Sequence, residues 1–292
     1  MRHIALKSRF ESQSCFASNY GRNANMSTEQ KLIVERSGAV TTVTLNRPAV
    51  NNALDRDLSE QLNRAVREIR DDRESRVVVF QGAGNTFCAG DDVAEFNEWD
   101  EATIGRQIRM YQETSKIIED LTQVTIAKVD GIAVGGGLEL TLVCDFVVAT
   151  DRSQWGMPEI DWDITPGWGG TNRLAAFAGR RKAKEWNLIG ALFDANTAER
   201  FDLINRVTTP EGLDAEVQSL IAVMLAKEPR VVERTKKCLN YGADNIATGL
   251  ALESEWIGRA KTAGIADFTD RGARERRRHL SKTFWQDRSP QR

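Results

Sequence analysis

Apolar residues recur along this chain with two different spacings. Short, almost continuous apolar runs predict strands buried in a sheet, and the first two, joined at Ser37-Gly38, predict a hairpin. These runs cover residues 32–36, 40–45, 76–81, 125–129 and 145–149. Between them lie segments with apolar residues three or four positions apart, which predict helices. These segments cover residues 57–70, 104–121 and 138–143.

The alternation of strands and helices favours an α/β fold with right-handed crossover connections. Beyond residue 171 the pattern is mostly helical, which favours a small second domain or an oligomerisation layer. Helices are predicted there at residues 173–177, 181–188, 197–201, 213–226, 231–239 and 246–285. We therefore predict a core over residues 27–205 and a helical C-terminal region over residues 206–292.

The first 25 residues follow neither spacing and are rich in Ser, Asn and Arg. The candidate explanations are an upstream start codon or vector-derived leader, a disordered native tail, and a mitochondrial transit peptide. A transit peptide should form an amphipathic helix, which we do not find. We treat residues 1–26 as a disordered leader and expect a cytoplasmic protein, or a mitochondrial matrix protein if the leader is a transit peptide.

Composition restricts the chemistry. The 292 residues suffice for a sizeable core. The formal net charge of -2 gives no overall field that favours nucleic acid or an acidic membrane. The four cysteines lack the paired spacing of a zinc site or a disulfide framework, and both histidines, His3 and His279, lie near the ends. Acid–base chemistry would therefore fall to carboxylates, lysine, tyrosine or bound water.

Two glutamates and a run of three glycines are the candidate chemical groups. Gly135-Gly136-Gly137, between a strand and a helix, can bring backbone N–H groups close to a ligand. A tight turn or a phosphate loop are the alternatives, but the sequence signatures of a P-loop and a dinucleotide fold are absent. Glu139 lies in an apolar helix, where a carboxylate is costly unless it pairs with an arginine or has a function. Glu159 lies in a Pro-Glu-Ile turn, where acids are usually solvated.

Five motifs in register resemble the enoyl-CoA hydratase/isomerase (crotonase) superfamily, over residues 27–271. They are Asn46-Arg47-Pro48 with Asn51-Asn52-Ala53-Leu54, Gly82-x-Gly84 with Phe87-Cys-Ala-Gly90-Asp-Asp92, Gly135-Gly-Gly-Leu-Glu139, Pro158-Glu-Ile160, and Pro166-Gly-x-Gly-Gly-Thr171. The resemblance implies a spiral of ββα turns, with a helical C-terminal region that builds trimers, often paired into hexamers.

The resemblance also implies an activity, most like that of the enoyl-CoA hydratases of fatty acid metabolism, which are hydro-lyases. The backbone N–H groups of Asp91 and Gly136 would form an oxyanion hole, and Glu139 and Glu159 would be catalytic. The residues expected to contact the CoA thioester are Arg47, Ala53, Leu54, Asp91, Asp92, Val93 and Gly136. No metal or redox cofactor is expected, since CoA is part of the substrate.

Physical chemistry agrees with that activity. Adding water to a 2-enoyl thioester puts negative charge on the thioester oxygen, and each preorganised N–H donor there contributes about 3–4 kcal/mol. One ionised glutamate would take a proton from water, and the other would donate one to C2. Two carboxyls in an apolar cleft resist double ionisation, which keeps one proton in the pair. The sequence leaves open which glutamate does which.

The sequence departs from the family pattern at three places. Asp163 stands where glycine is usual, and aspartate tolerates the left-handed conformation better than most residues. Asp91 replaces a commonly small or apolar residue, although only its N–H is required. The C-terminal tail matches the usual family ending poorly.

Three alternative functions remain at this point. Asp161-Trp162 after Pro-Glu-Ile is similar to hydroxycinnamoyl-CoA hydratase-lyases, but those enzymes lack the first glutamate. Enoyl-CoA isomerases, the next alternative, typically need only one catalytic glutamate. Arginines recur at every third residue over 64–76, as in RNA-binding members of the fold, yet interleaved acids indicate a solvated helix with ion pairs. We expect no nucleic acid and no membrane as partner.

Overall fold

The computed structural model describes residues 30–96 and 98–243, together with residues 250, 251, 254 and 279. Its strands are β1 (Leu32–Ser37), β2 (Val40–Leu45), β3 (Val77–Gly82), β4 (Val124–Val129), β5 (Ile132–Val134), β6 (Phe146–Thr150), β7 (Gln154–Gly156), β8 (Phe193–Asp194) and β9 (Arg206–Thr208). Its α-helices are α1 (Arg56–Asp71), α2 (Val93–Phe96), α3 (Glu101–Asp120), α4 (Gly136–Leu142), α5 (Gly170–Ala178), α6 (Arg180–Ile189), α7 (Ala195–Arg200), α8 (Leu213–Leu225) and α9 (Pro229–Gly242).

A six-stranded sheet, in the order β1-β2-β3-β4-β6-β9, forms the first layer. The predicted hairpin is confirmed, since β1 and β2 pair in antiparallel fashion. Every later pairing in this sheet is parallel. Parallel neighbours require crossover connections, and α1, α3 and α4 lie in those connections along the chain. The predicted α/β class is therefore confirmed.

A smaller sheet, in the order β5-β7-β8, forms the second layer. Two isolated parallel bridges join further segments of the chain. Cys88 pairs with Ala133 of β5, and Leu54 pairs with Asp91. Each turn of the chain thus supplies one long strand, one short extended segment and one helix. The extended segments end at Leu54, Asp91 and Val134, immediately before helices α1, α2 and α4.

Helix α1 shows why the periodicity predicted the helices well. Its apolar residues Leu58, Leu62, Val66 and Ile69 are almost fully buried, whereas its arginines face outward. The Asp55 carboxylate caps the helix by accepting a hydrogen bond of 2.8 Å from the N–H of Leu58. Arg56 pairs with Glu60 on the surface, as the interleaved charges predicted.

The sequence missed several short elements. The strands β5, β7, β8 and β9 have two or three residues each, too few to show a period. β9 pairs with β6, so the core sheet extends to Thr208, just beyond the predicted boundary at residue 205. Helices α7, α8 and α9 confirm the predicted helical segments at 197–201, 213–226 and 231–239. The predicted helix at 246–285 and the leader lie outside the described residues, apart from the few positions named above.

Candidate active site

Glu139 lies in the first turn of α4 and is 1% exposed. Its Oε1 accepts hydrogen bonds from the backbone N–H groups of Trp168 (3.0 Å) and Gly170 (2.6 Å). Burial raises the pKa of Glu139 to about 8, the neighbouring Glu159 adds to the rise, and the N–H donors oppose it. No arginine pairs with it among the described contacts, so the structural ion pair considered above is not what holds this carboxyl.

Glu159 lies in a 3₁₀ turn, Pro158–Trp162, that follows β7. Its Oε2 is buried and has no hydrogen-bond partner among the described residues. A Cβ at Gly135 would lie 3.2 Å from Oε1, so the carboxyl lies against the glycine turn before α4. Burial raises the pKa of Glu159 to about 7, and the charge of Asp91 adds to the rise. Glu159 is therefore half-buried rather than fully solvated as loop acids usually are.

The backbone N–H of Gly136 has no acceptor in its own helix. Helix α4 begins at Gly136, and its first hydrogen bond runs from the N–H of Glu139 to the oxygen of Gly135 (2.9 Å). Gly135, with φ of 54° and ψ of -126°, adopts a conformation that favours glycine and directs the chain into the helix. The positive end of the helix dipole adds to the attraction for a negatively charged oxygen.

The backbone N–H of Asp91 also points away from its neighbouring strand. The N–H of Leu54 donates to Gly90 (2.8 Å) and the N–H of Asp92 donates to Leu54 (3.0 Å). In a parallel ladder the residue between these two directs its own N–H to the opposite edge. A Cβ at Gly90 would lie 3.2 Å from the nitrogen of Gly136, so the two turns are adjacent. The structure thus places the two predicted oxyanion donors side by side.

Three buried polar atoms lie in this region. They are Oδ1 of Asp91, the Tyr111 hydroxyl and Nε1 of Trp168, and none has a hydrogen-bond partner among the described residues. A Cβ at Gly136 would lie 3.4 Å from Nε1 of Trp168 and 3.5 Å from Oδ1 of Asp91. Burial raises the pKa of Asp91 to about 6, although the Tyr111 hydroxyl and the Trp168 N–H oppose that rise. Asp91 therefore brings a third carboxyl to the site.

Arg47 is engaged inside the protein. Its guanidinium contacts Asp92 Oδ2 at 3.1 Å and Asp55 Oδ2 at 3.2 Å, and donates to the oxygen of Ala53 at 2.5 Å. These contacts fix the turn that leads to Leu54. The predicted contact between Arg47 and CoA stays a prediction, and the guanidinium would reach a phosphate only by sharing or leaving these partners.

The other predicted CoA residues differ in exposure. Ala53 and Leu54 are buried, with Leu54 Cδ1 lying 3.4 Å from a Cβ at Gly136. Val93 begins α2 and is half-buried. Asp92 is buried against Arg47. Leu54 thus lies at the oxyanion site, whereas Asp92 stabilises the neighbouring turn through its ion pair with Arg47.

Sequence reasoning missed Gly170, Tyr111 and the role of the Trp168 N–H. Trp168 and Gly170 supply the two N–H donors to Glu139, and their place inside the Pro166–Thr171 motif was the available signal. Tyr111 gave no signal beyond its place in the helical period of α3. It stacks on Trp168 with ring centroids 4.4 Å apart and an interplanar angle of 21°.

A cavity of about 1350 Å³ lies next to this site, and neither Glu139 nor Glu159 lines it. Trp168 and Gly169 form one side of it. Its apolar lining comes from Leu142, Phe146, Phe177, Val231, Val232 and Leu239. The candidate active site is therefore identified by its two glutamates and not by the volume of this cavity.

Comparison with known proteins decides the family. Residues 35–263 match the family described as enoyl-CoA hydratase/isomerase. The chain belongs to this family. Among curated relatives, a short-chain-enoyl-CoA hydratase of Clostridium acetobutylicum is 34% identical over 230 residues, which are 78% of this chain and 88% of that protein.

Solved structures of the enoyl-CoA hydratase/isomerase family agree with this assignment. An enoyl-CoA hydratase from Bacillus anthracis superimposes with a TM-score of 0.74 at 32% identity, covering 77% of this chain and 89% of the other. A Thermobifida fusca protein solved in complex with acetoacetyl-CoA gives a TM-score of 0.74 at 29% identity, covering 80% and 95%. The crotonase-type fold predicted from the motifs is confirmed.

Two departures from the family pattern are accommodated. Asp163 adopts the left-handed conformation, with φ of 56°, as predicted for an aspartate in place of glycine. The N–H of Asp91 points away from Leu54, while its carboxyl lies near Tyr111 and Trp168. Within the residues described, no group of three or more His, Cys, Asp or Glu could hold a metal ion, and no helix is long and apolar enough to cross a membrane.

Proposed function

We propose that this member of the enoyl-CoA hydratase/isomerase family is an enoyl-CoA hydratase, which adds water across the 2,3 double bond of a 2-enoyl-CoA thioester. The observation that carries the proposal is a pair of glutamates, the buried Glu139 and the half-buried Glu159, beside two adjacent backbone N–H groups that the fold does not use. An isomerase of this family typically needs only one glutamate, whereas water addition uses an acceptor and a donor.

The two N–H groups account for binding of the thioester oxygen. When water adds at C3, negative charge develops on this oxygen, and the N–H groups of Asp91 and Gly136 would each contribute about 3 kcal/mol to its stabilisation. Both donors are fixed before the reaction, one by the bridge to Leu54 and one by the start of α4. No reorganisation is required as the charge forms.

The raised pKa values support a proton-sharing pair. With pKa values of about 8 for Glu139 and about 7 for Glu159, the pair holds close to one proton near neutral pH. The ionised member would take a proton from water, and the protonated member would supply one to C2. The reaction needs no metal or redox cofactor, because it transfers only protons and hydroxide.

The same proposal includes an acyl-CoA thioester as partner, supported by the Thermobifida fusca complex. Self-association as a trimer or a hexamer is part of the proposal on the strength of the family resemblance. Sedimentation or light scattering of the full chain measures this directly.

The test of the function is hydration of crotonyl-CoA by the wild type and by Glu139→Gln and Glu159→Gln, followed by loss of absorbance of the conjugated double bond. Each variant should lose at least about 100-fold in kcat while keeping its affinity for CoA thioesters. Glu185→Gln, an exposed acid on α6, is the matched control. Wild-type turnover in either active-site variant would contradict the assigned roles. Turnover of 3-enoyl but not 2-enoyl thioesters would make the protein an isomerase.

A further inference from the structure

The reaction proposed above does not use the indole of Trp168. The indole is 1% exposed and stacks on the equally buried ring of Tyr111. Its backbone oxygen accepts hydrogen bonds from the Ser115 hydroxyl (3.2 Å) and from Arg173 (2.8 Å), which Glu119 holds in turn. Both the main chain and the ring of Trp168 are therefore fixed.

The indole lies beside the predicted oxyanion donor Gly136. Its Nε1 lies 3.4 Å from where a Cβ of Gly136 would be, and its backbone N–H holds Glu139. The ring thus lies beside the segment that runs from the oxyanion donors to the catalytic carboxyl. Leu54 and the carboxyl of Asp91 occupy the remaining space at the same point.

The large cavity lies on another side of the same residue. Trp168 lines this cavity and also contacts the region around Gly136, and the cavity volume of about 1350 Å³ could hold many methylene groups. An acyl chain directed from Gly136 into that volume would meet the indole and would have to displace it. Because the ring is packed on Tyr111 and protein interiors yield little, such a displacement is costly.

We propose that Trp168 is a specificity-determining residue that limits this enzyme to short acyl groups, by closing the acyl end of the site against the apolar cavity behind it. The inference depends on the proposed hydratase function for where the thioester lies. A crotonyl group has one carbon beyond the double bond and fits within the limit. Acyl chains of eight or more carbons would have to displace the Trp168–Tyr111 stack.

The test measures kcat/KM for 2-enoyl-CoA thioesters of 4, 6, 8, 10 and 12 carbons with wild type, Trp168→Ala and Trp168→Leu. In the wild type kcat/KM should fall at least about 10-fold between 4 and 8 carbons, since a pocket changes selectivity by about 10-fold or more for each methylene it excludes. In both variants the ratio of 10-carbon to 4-carbon kcat/KM should rise at least about 10-fold. Trp162→Ala is the control, because that indole is 58% exposed on the outer side of the Glu159 turn and should leave the ratio unchanged.

A second measurement separates this inference from the hydratase function. Calorimetric affinities of butyryl-CoA and decanoyl-CoA report the size limit without any turnover. If crotonyl-CoA is not hydrated, the function fails, while a preference for butyryl-CoA that Trp168→Leu abolishes still supports the size limit. Equal wild-type affinities, equal kcat/KM for 4 and 10 carbons, or an unchanged ratio in folded Trp168 variants would overturn the inference.

Discussion

Changing Gly170 to alanine should impair catalysis although Gly170 has no catalytic side chain of its own. A Cβ at this position would lie 2.7 Å from Oε1 of Glu139, 2.8 Å from its Cγ and 2.7 Å from Cε of Met157. The Met157 side chain is flexible, so its Cε can move away. Glu139 cannot move freely, because its Oε1 accepts the N–H bonds of Trp168 and of Gly170 itself.

The size of the effect follows from these distances. Ordinary van der Waals contact begins near 3.4 Å, so the Glu139 oxygen would have to retreat by about 0.7 Å. Such a shift stretches the 2.6 Å bond from the Gly170 N–H, which contributes about 0.5–1.5 kcal/mol while the carboxyl is protonated and about 1.5–3 kcal/mol once it is ionised. Misplacing a reacting group by about 1 Å costs roughly 100-fold in rate. We expect kcat for crotonyl-CoA hydration to fall about 10- to 100-fold.

Steady-state kinetics with crotonyl-CoA measure this effect, and thermal unfolding checks that the variant is folded. Overpacking of this kind should cost about 1–3 kcal/mol in unfolding free energy, which a stable domain tolerates. Gly105→Ala is the matched control, because a Cβ there lies 3.5 Å from the nearest atom, the flexible guanidinium of Arg109, on the half-buried surface of α3. Alanine should stabilise that helix by about 0.5–1 kcal/mol and leave kcat unchanged. A folded Gly170→Ala variant with kcat/KM within twofold of the wild type would refute the reasoning.

Two further predictions concern pH and the oxyanion site. Because Glu159 gains a proton below about pH 7 and Glu139 loses one above about pH 8, kcat/KM should fall on both sides of a maximum between these values. A profile that stays flat from about pH 5 to 10 would contradict a proton-sharing pair. Gly136→Pro removes the N–H donor at the first helical position, where proline is compatible with the helix, so kcat should fall by about 10²–10³-fold in a folded protein. Circular dichroism and crotonyl-CoA turnover measure both properties, and retained activity would place the oxyanion hole elsewhere.

Local sequence pattern predicted the long elements because their causes are local. β1, β2 and α1 match their predicted ranges to within one residue. The alternation of side chains along a strand, the apolar stripe along a helix and the Asp55 cap all depend on residues that are close together in the sequence. Helix α3 begins three residues earlier than predicted, at Glu101, because the Asp100 carboxylate caps it before the apolar period starts.

The short strands could not be predicted, and they decide the geometry of the site. β5 and β7 pair with Val134 opposite Gly156, so the residues that follow each strand emerge at the same edge. Gly135 and the turn that carries Glu159 meet there for this reason. No spacing in the sequence specifies this register, because the paired residues are 22 positions apart and each strand has only three residues.

The sequence by itself determined the family, the order of the elements and the residue types that any acid–base chemistry must use. Motifs such as Gly135–Glu139 carry that information because their functions require fixed local spacing. Only the tertiary structure decided that the Oε2 of Glu159 is buried, that Trp168 is in the core while Trp162 is exposed, and that Arg47 is engaged by Asp55 and Asp92. Burial and pKa depend on neighbours brought together from distant parts of the chain, which a linear pattern does not record.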